Sequence, residues 1–222
     1  MGWEYRLGRC VLCKKGIVMK YFDQIFVISL NNEVGNKRTE VIWRELQEHD
    51  IQSARWTAIE HENGVIGLLQ TMHQLFTYAV ANNEENVLVL EDDNHFLVPF
   101  WPVMDEIWPQ VPKDYHCLFL SCNLLSRPTR IAPNVLRIAS SYSTNAIVYS
   151  LEAMKLILPL IEANQTLAYD IILMKFLQPE GHCYCTIPML SNQRPGYSSI
   201  EKREIDWAAY QSQSFNTYTK GL

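Results

Sequence analysis

The chain has 222 residues, 48% of them apolar and 19% charged, which suits one domain with a sizeable core and excludes a largely disordered polymer. Its 24 acids against 19 bases leave a formal charge of −5, which gives no overall electrostatic reason to bind DNA, RNA or an anionic membrane. The strongly apolar stretches, over 21–30 and 151–161, fall short of the ~18–20 residues that a helical bilayer crossing needs.

In chain order, residues 1–18 carry Arg6, Arg9, Lys14 and Lys15 without the apolar run of a secretory signal, and they read as an N-terminal extension ahead of Met19. Residues 24–30 form a continuous β-branched and aromatic run, the pattern of a strand buried on both faces. A polar loop containing Gly35 then leads to a helix over 36–49, with Val41, Ile42 and Leu46 at helical spacing. The alternation repeats with a strand over 53–59, an amphipathic helix over 65–81 and the clearest strand of the chain over 87–91, followed by a Pro-punctuated helix or pair of turns over 97–108 and a strand over 115–121. Strands alternating with helices at this spacing predict a single-domain α/β fold, with a mostly parallel central sheet and helices on both faces. The remainder is less regular: a polar loop over 123–133, short strands over 135–138 and 143–149, helices over 151–162 and 169–177, a strand over 183–187, and a loop-like polar stretch from Ser191 onward.

Six cysteines are too few for a disulfide-built scaffold in a chain of this length. Cys10-x-x-Cys13 with Cys183-x-Cys185 offers a four-sulfur zinc set, although C-x-C is the less common half-site spacing. The simpler expectation is reduced thiols in a cytoplasmic protein, with Cys117 and Cys122 buried.

Chemistry concentrates where the run Val87-Leu-Val-Leu ends in Glu91, Asp92 and Asp93. Ligands of open α/β sheets bind outside the carboxyl ends of the strands, so acids at this point belong to a site rather than to the core. Three adjacent carboxylates repel one another unless a cation offsets them. Mg²⁺ or Mn²⁺ held by one or two carboxylates, with diphosphate oxygens and water completing the shell, fits that requirement, and a solvated acidic turn is the alternative.

Residues 19–30, Gly67-x-x-x-Thr71-x-His73, Asn86 to Asp93 and Gly196-Tyr-Ser-Ser-Ile200 together resemble glycosyltransferase family 25, the lipopolysaccharide and lipooligosaccharide galactosyltransferases related to the collagen galactosyltransferases. The order of the elements agrees: the first strand with Arg38 after it, the helix start at Gly67 to His73, Leu90 to Asp93, Ser143-Thr144-Asn145-Ala146, Asp170 and Gln193. The resemblance covers 19–207, leaving 208–222 as a C-terminal tail.

The resemblance implies a GT-A-like domain. It would transfer a hexose, galactose or glucose, from a UDP-linked nucleotide sugar to a hydroxyl of a glycan or glycolipid acceptor, with inversion, in the manner of lipopolysaccharide biosynthesis. Mn²⁺ or Mg²⁺ is the implied cofactor, with Glu91 and Asp93 as its ligands and Asp92 toward the donor sugar; the cation would offset charge on the departing diphosphate. Asn31 and Arg38, after the first strand, are placed to meet the uridine or diphosphate, although an exposed helix-start cation explains Arg38 equally well. His73 matches a family position and is otherwise a structural histidine. Thr144, Asn145 and Gln193 match further family positions. Tyr197 is suited to stacking on a base or sugar. The base expected to deprotonate the acceptor hydroxyl is Asp170, with helix capping as its alternative and Asp114 as the fallback. A non-catalytic nucleotide-sugar binding protein and a metal-dependent phosphohydrolase are the competing functions.

Overall fold

A computed structural model describes residues 20–198 and 203–222. The elements run β1 (Gln24–Leu30), α1 (Glu33–Glu48), β2 (Ala54–Ala58), α2 (Gly64–Ala81), β3 (Asn86–Glu91), β4 (Asn94–Phe96), α3 (Phe100–Ile107), β5 (Cys117–Phe119), β6 (Asn123–Leu124) and β7 (Thr129–Ala132). They continue through β8 (Val135–Arg137), β9 (Ser141–Tyr142), β10 (Ala146–Ser150), α4 (Leu151–Ala163), α5 (Tyr169–Ile172), β11 (Cys183–Thr186), β12 (Ser191–Gln193), β13 (Gly196–Ser198), β14 (Arg203–Ile205) and α6 (Trp207–Thr219).

The central sheet has eight strands in the order β2-β1-β3-β10-β5-β11-β8-β7. The pairings leave β10 and β8 antiparallel to the other six, so the sheet is mostly parallel as the sequence predicts. Strand periodicity divides the core in two. Phe26 and Ile28 of β1 and Val87 and Val89 of β3 face one way, onto Leu69, Met72 and Phe76 of α2 and Met154 and Ile157 of α4. Ile25 and Val27 of β1 and Leu88 and Leu90 of β3 face the other way, onto Ile42 and Leu46 of α1 and Phe100, Met104 and Ile107 of α3. A sheet covered on both faces explains why these strands read as unbroken apolar runs.

Three expectations change. Helix α1 begins at Glu33, not near Asn36, because the Asn32 side chain caps it by accepting from the Gly35 amide at 3.0 Å. Gly35 therefore lies in the first helical turn rather than in a loop. A Cβ there would stand 2.1 Å from the Leu30 carbonyl oxygen, so only glycine lets the helix start this close to the end of β1. The stretch after Ser191 is also not a loop. It pairs as β12 with β4 and as β13 with β14, then forms α6, which packs on the domain through Phe215 instead of trailing away as a tail. The polar stretch over 123–133 likewise contributes β6 and β7.

The expected extension and the Cys10/Cys13 pair lie outside the described residues. Cys183 and Cys185, which a period of two places on one face of β11, are buried in the core with Cys117 and Cys122, and all four are free thiols. Cys117 and Cys183 are register partners on neighbouring strands, and Cys185 is hydrogen-bonded to Cys122. Burial and these contacts push the Cys117 and Cys185 thiols up, away from the reactive thiolate form. No helix among the described residues is long and apolar enough to cross a membrane.

Candidate functional site

Topology brings the site together at the carboxyl ends of the interior strands β1 and β3. Strands β1 and β3 run the same way and end at Leu30 and Glu91, while antiparallel β10 enters the sheet opposite Leu90. The 143–145 turn ahead of β10 is therefore delivered to the acidic turn that follows β3, and the Glu91 amide donates to the Asn145 carbonyl at 2.9 Å. On the far side of the acidic turn, β4 pairs with β12, so Gln193 lies opposite Asn94 and the Arg194 amide donates to the Asp93 carbonyl at 2.7 Å.

The three acids have different surroundings. Glu91 accepts from the Thr144 hydroxyl at 2.8 Å. Burial, with Asp93 next to it, pushes its carboxyl up to about 8 despite that bond. Asp93 lies 3.9 Å from Nη1 of Arg38 and receives a long contact of 3.5 Å from the Gln193 amide. Burial and the neighbouring Asp92 push it up to about 6, and its Oδ1 is buried with no hydrogen-bond partner. Asp92 is turned into the fold. It accepts from the Ser29 hydroxyl at 2.8 Å and from Arg38 at 3.3 Å, and Ser29 is itself bonded to Thr39 of α1. Asp92, expected toward the donor sugar, is placed by its position after β3 on the α1 face of the sheet, where these donors hold it.

Arg38 spans two structures, donating to Asp92 and to the Tyr197 carbonyl of β13. Its guanidinium is thus a part of the acidic site and not a free helix-start cation. Burial pushes the Asp92 carboxyl up, and Ser29, Arg38 and, more weakly, Arg55 offset part of that push; Arg55 also donates to the Leu30 carbonyl at 2.7 Å. The Tyr197 ring is exposed on the same side, and Asn31 is exposed immediately after β1. Asn145 is fully buried and donates to Asn94 at 3.1 Å, so it supports the acidic turn from behind.

Asp170, at the start of α5, accepts from the Ile171 amide at 2.8 Å and from the Ser143 backbone, and it lies near enough to Glu91 to raise that carboxyl. Burial pushes Asp170 itself up. Ser143 is one of the non-glycine residues with left-handed backbone, at φ +82°, a strained conformation that these contacts hold in place. The structure does not bring two candidates to this cluster. His73 meets Glu162 of α4 at 3.0 Å across the α2–α4 packing, and Asp114 stands before β5 beside His182, at the end of the sheet away from the acids.

Sequence reasoning missed Ser29, Gln211, Glu45 and Arg194. Gln211 comes from α6 and bonds Gln193, Ser143 and Asn145. Glu45 of α1 is buried and accepts from the His95 ring and the Phe96 amide, both at 2.7 Å, and from the Arg194 guanidinium, which clamps the β4–β12 ribbon. A buried Glu at a helix position between Ile42 and Leu46 was the available signal, since charged residues are seldom buried without a partner.

Among the described residues, no group of three or more His, Cys, Asp or Glu side chains is arranged to hold a metal ion. A cation here would take Glu91 and Asp93 with the rest of its shell from ligand oxygens and water, the Mg²⁺-type arrangement. The unpartnered Oδ1 of Asp93 and the raised carboxyls of both acids fit that demand: no cation is among the groups that act on Glu91, and Arg38, 3.9 Å from Asp93, only partly offsets the upward push of burial there.

No family model matches the chain, and no curated protein matches it. Family 25 in particular is not supported by either comparison. Similar solved structures include a glycosyltransferase involved in the glycosylation of the major capsid of PBCV-1, at 11% identity and a TM-score of 0.48 over 73% of this chain and 80% of that one. A197 from STIV is similar at 10% identity and a TM-score of 0.48, over 82% of this chain and 92% of that one. An apo UDP-glucose pyrophosphorylase is similar at 10% identity and a TM-score of 0.43, over 90% and 82%.

Proposed function

We propose that the chain is a GT-A-like, metal-dependent glycosyltransferase that moves a hexose from a UDP-linked donor to a hydroxyl of a glycan or glycolipid, with the sequence pattern of family 25. The observation that carries this reading is the buried acidic turn at the carboxyl end of β3, where Asp93 Oδ1 has no partner and Arg38 stands 3.9 Å from the same carboxylate. A site that keeps carboxylates and a guanidinium side by side in a buried setting suits a ligand carrying both a divalent cation and phosphate oxygens.

Glu91 and Asp93 would hold Mn²⁺ or Mg²⁺, which when bound supplies a positive charge against the charge developing on the leaving diphosphate. Arg38 and Arg55 add fixed positive charge on the β1 side, and the bond from Arg38 to Asp92 keeps the guanidinium oriented. Asn31 and Tyr197 border the same side, suited to the nucleoside. Thr144 fixes the Glu91 carboxylate through its hydroxyl, and the Gln193 side-chain amide faces Asp93 across a longer contact. Asp170 is the group suited to take the proton from the acceptor hydroxyl: burial raises its carboxyl toward the range useful to a base, and it lies on the Glu91 side of the site.

The test is UDP release from UDP-galactose and UDP-glucose with Mn²⁺, with and without glycan acceptors. Release that needs an acceptor, and that Asp170→Asn reduces by about 10²-fold or more, is the expected result. Release without any acceptor would instead make the chain a hydrolase, and saturable binding without release would make it a binding protein.

A further inference from the structure

Helix α6 has an unusual buried residue. The two residues it buries are Phe215 and, one turn earlier, Gln211, which is 1% exposed. A helix that needed only to dock would place an apolar side chain at both positions, because a primary amide taken out of water destabilises the fold wherever its hydrogen bonds are not replaced. Here they are replaced by groups of the site. Gln211 Oε1 accepts from the Gln193 backbone amide at 3.1 Å, and its Nε2 donates to the Ser143 hydroxyl at 2.7 Å and to Asn145 Oδ1 at 3.2 Å, with a longer contact of 3.4 Å to the side-chain Oε1 of Gln193. One side chain therefore touches both supports of the acidic turn. The β12 support ends in Gln193, whose side chain reaches Asp93, and the 143–145 support carries Thr144, whose hydroxyl holds Glu91.

We propose that Gln211 is a positioning residue of this site: it sets the Gln193 amide against Asp93 and the 143–145 turn, with the Thr144 hydroxyl, against Glu91. The proposal rests on the reading of the acidic turn as a site for a nucleoside diphosphate and a cation. Without Gln211 the strained Ser143 loses its hydroxyl partner in α6, and Gln193 loses the acceptor for its backbone amide. The two carboxylates would then be held only by groups free to turn away, and the geometry between them, which a shared cation demands, would loosen.

The experiment compares Gln211→Leu with Ser214→Ala. Ser214 lies on the same helix, where its hydroxyl accepts from the Leu124 amide at 3.1 Å and donates to the Gln211 backbone carbonyl at 3.1 Å, so its loss weakens the docking of α6 without removing a bond of the Gln211 side-chain amide. Each variant is read by its thermal midpoint, by UDP affinity in Mn²⁺, and by the NMR signals of the Gln193 side-chain amide. The proposal expects Gln211→Leu to weaken UDP binding about tenfold and to move the Gln193 amide signals toward a solvent-exchanging position, while Ser214→Ala leaves both in place. It is overturned if Gln211→Leu changes neither, or if both variants change them in proportion to lost stability. If the unaltered protein binds no UDP with Mn²⁺, the proposed function fails, and the Gln193 signals alone decide the positioning role by the same criteria. Should Gln211→Leu not fold, Gln211→Glu, which keeps an oxygen for the Gln193 amide and loses the donors to the 143–145 turn, is judged by the same readings.

Discussion

At the residue scale, Glu91, Asp92 and Asp93 show how little adjacency says about role. Asp92 has two well-placed donors in Ser29 and Arg38, whereas Glu91 and Asp93 are left with one hydroxyl and one long amide contact. The consequence is a pH dependence with a definite sign. Glu91 is pushed up to about 8 and Asp93 to about 6, above the values near 4 that both have in an unfolded chain. A carboxyl whose folded value is raised binds protons more readily in the folded state. Its contribution is fully present below the unfolded value and is lost as pH rises through the folded one. Without metal, the thermal midpoint should therefore fall between about pH 4.5 and pH 8 more steeply in the unaltered protein than in Glu91→Gln, which keeps an oxygen to accept from Thr144. Parallel midpoint profiles for the two proteins would show that Glu91 is not the source of the slope.

At the element scale, the start of α1 shows where a sequence pattern is readable and where it is not. The apolar spacing of Ile42 and Leu46 marks the helix, but Asn36 and Asn32 look alike as caps, and only the contact of Gly35 with the end of β1 distinguishes them. Gly35→Ala would force a Cβ to within 2.1 Å of the Leu30 carbonyl oxygen, in backbone that has no flexible end to give way. The expected loss is about 1–3 kcal/mol or more in urea denaturation, against a few tenths for an alanine placed at the exposed Glu40 of the same helix. Helix α6 was illegible for a different reason. Its buried face consists of Phe215 and a glutamine, so no apolar stripe signals a helix, and its one-turn spacing becomes visible only once the partners of Gln211 are in place. Strands β1 and β3 were readable from end to end, because a strand covered on both faces must be apolar throughout.

The same contrast holds for the site. Glu91 and Asp93 follow a readable strand, and Arg38 and Thr144 lie beside it at short sequence distance from recognisable motifs. His73 and Asp114 are equally suited by residue type to a site but are fixed elsewhere, by a helix–helix pair with Glu162 and by a place ahead of β5. The supporting residues Glu45, Arg194 and Gln211 depend on contacts between elements far apart in the chain, which a one-dimensional pattern does not carry.

At the scale of the whole molecule, the domain is a sheet covered on both faces, and residues 191–219 return to the carboxyl ends of β1 and β3. β12 pairs beside the acidic turn, β13 accepts from Arg38, and α6 supplies Gln211, so the C-terminal segment completes the site that β3 begins. Such an arrangement needs the carboxylates, the guanidinium and the C-terminal supports together for a ligand that carries both a cation and phosphates. The measurement that tests this most directly is calorimetric titration of UDP into the protein with Mn²⁺ and with EDTA, repeated for Asp93→Asn. The account predicts saturable binding that EDTA weakens by at least about tenfold and that Asp93→Asn weakens to the same extent, with no further effect of EDTA on the variant. Binding that is indifferent to both Mn²⁺ and Asp93, or no binding of UDP at all, would contradict it.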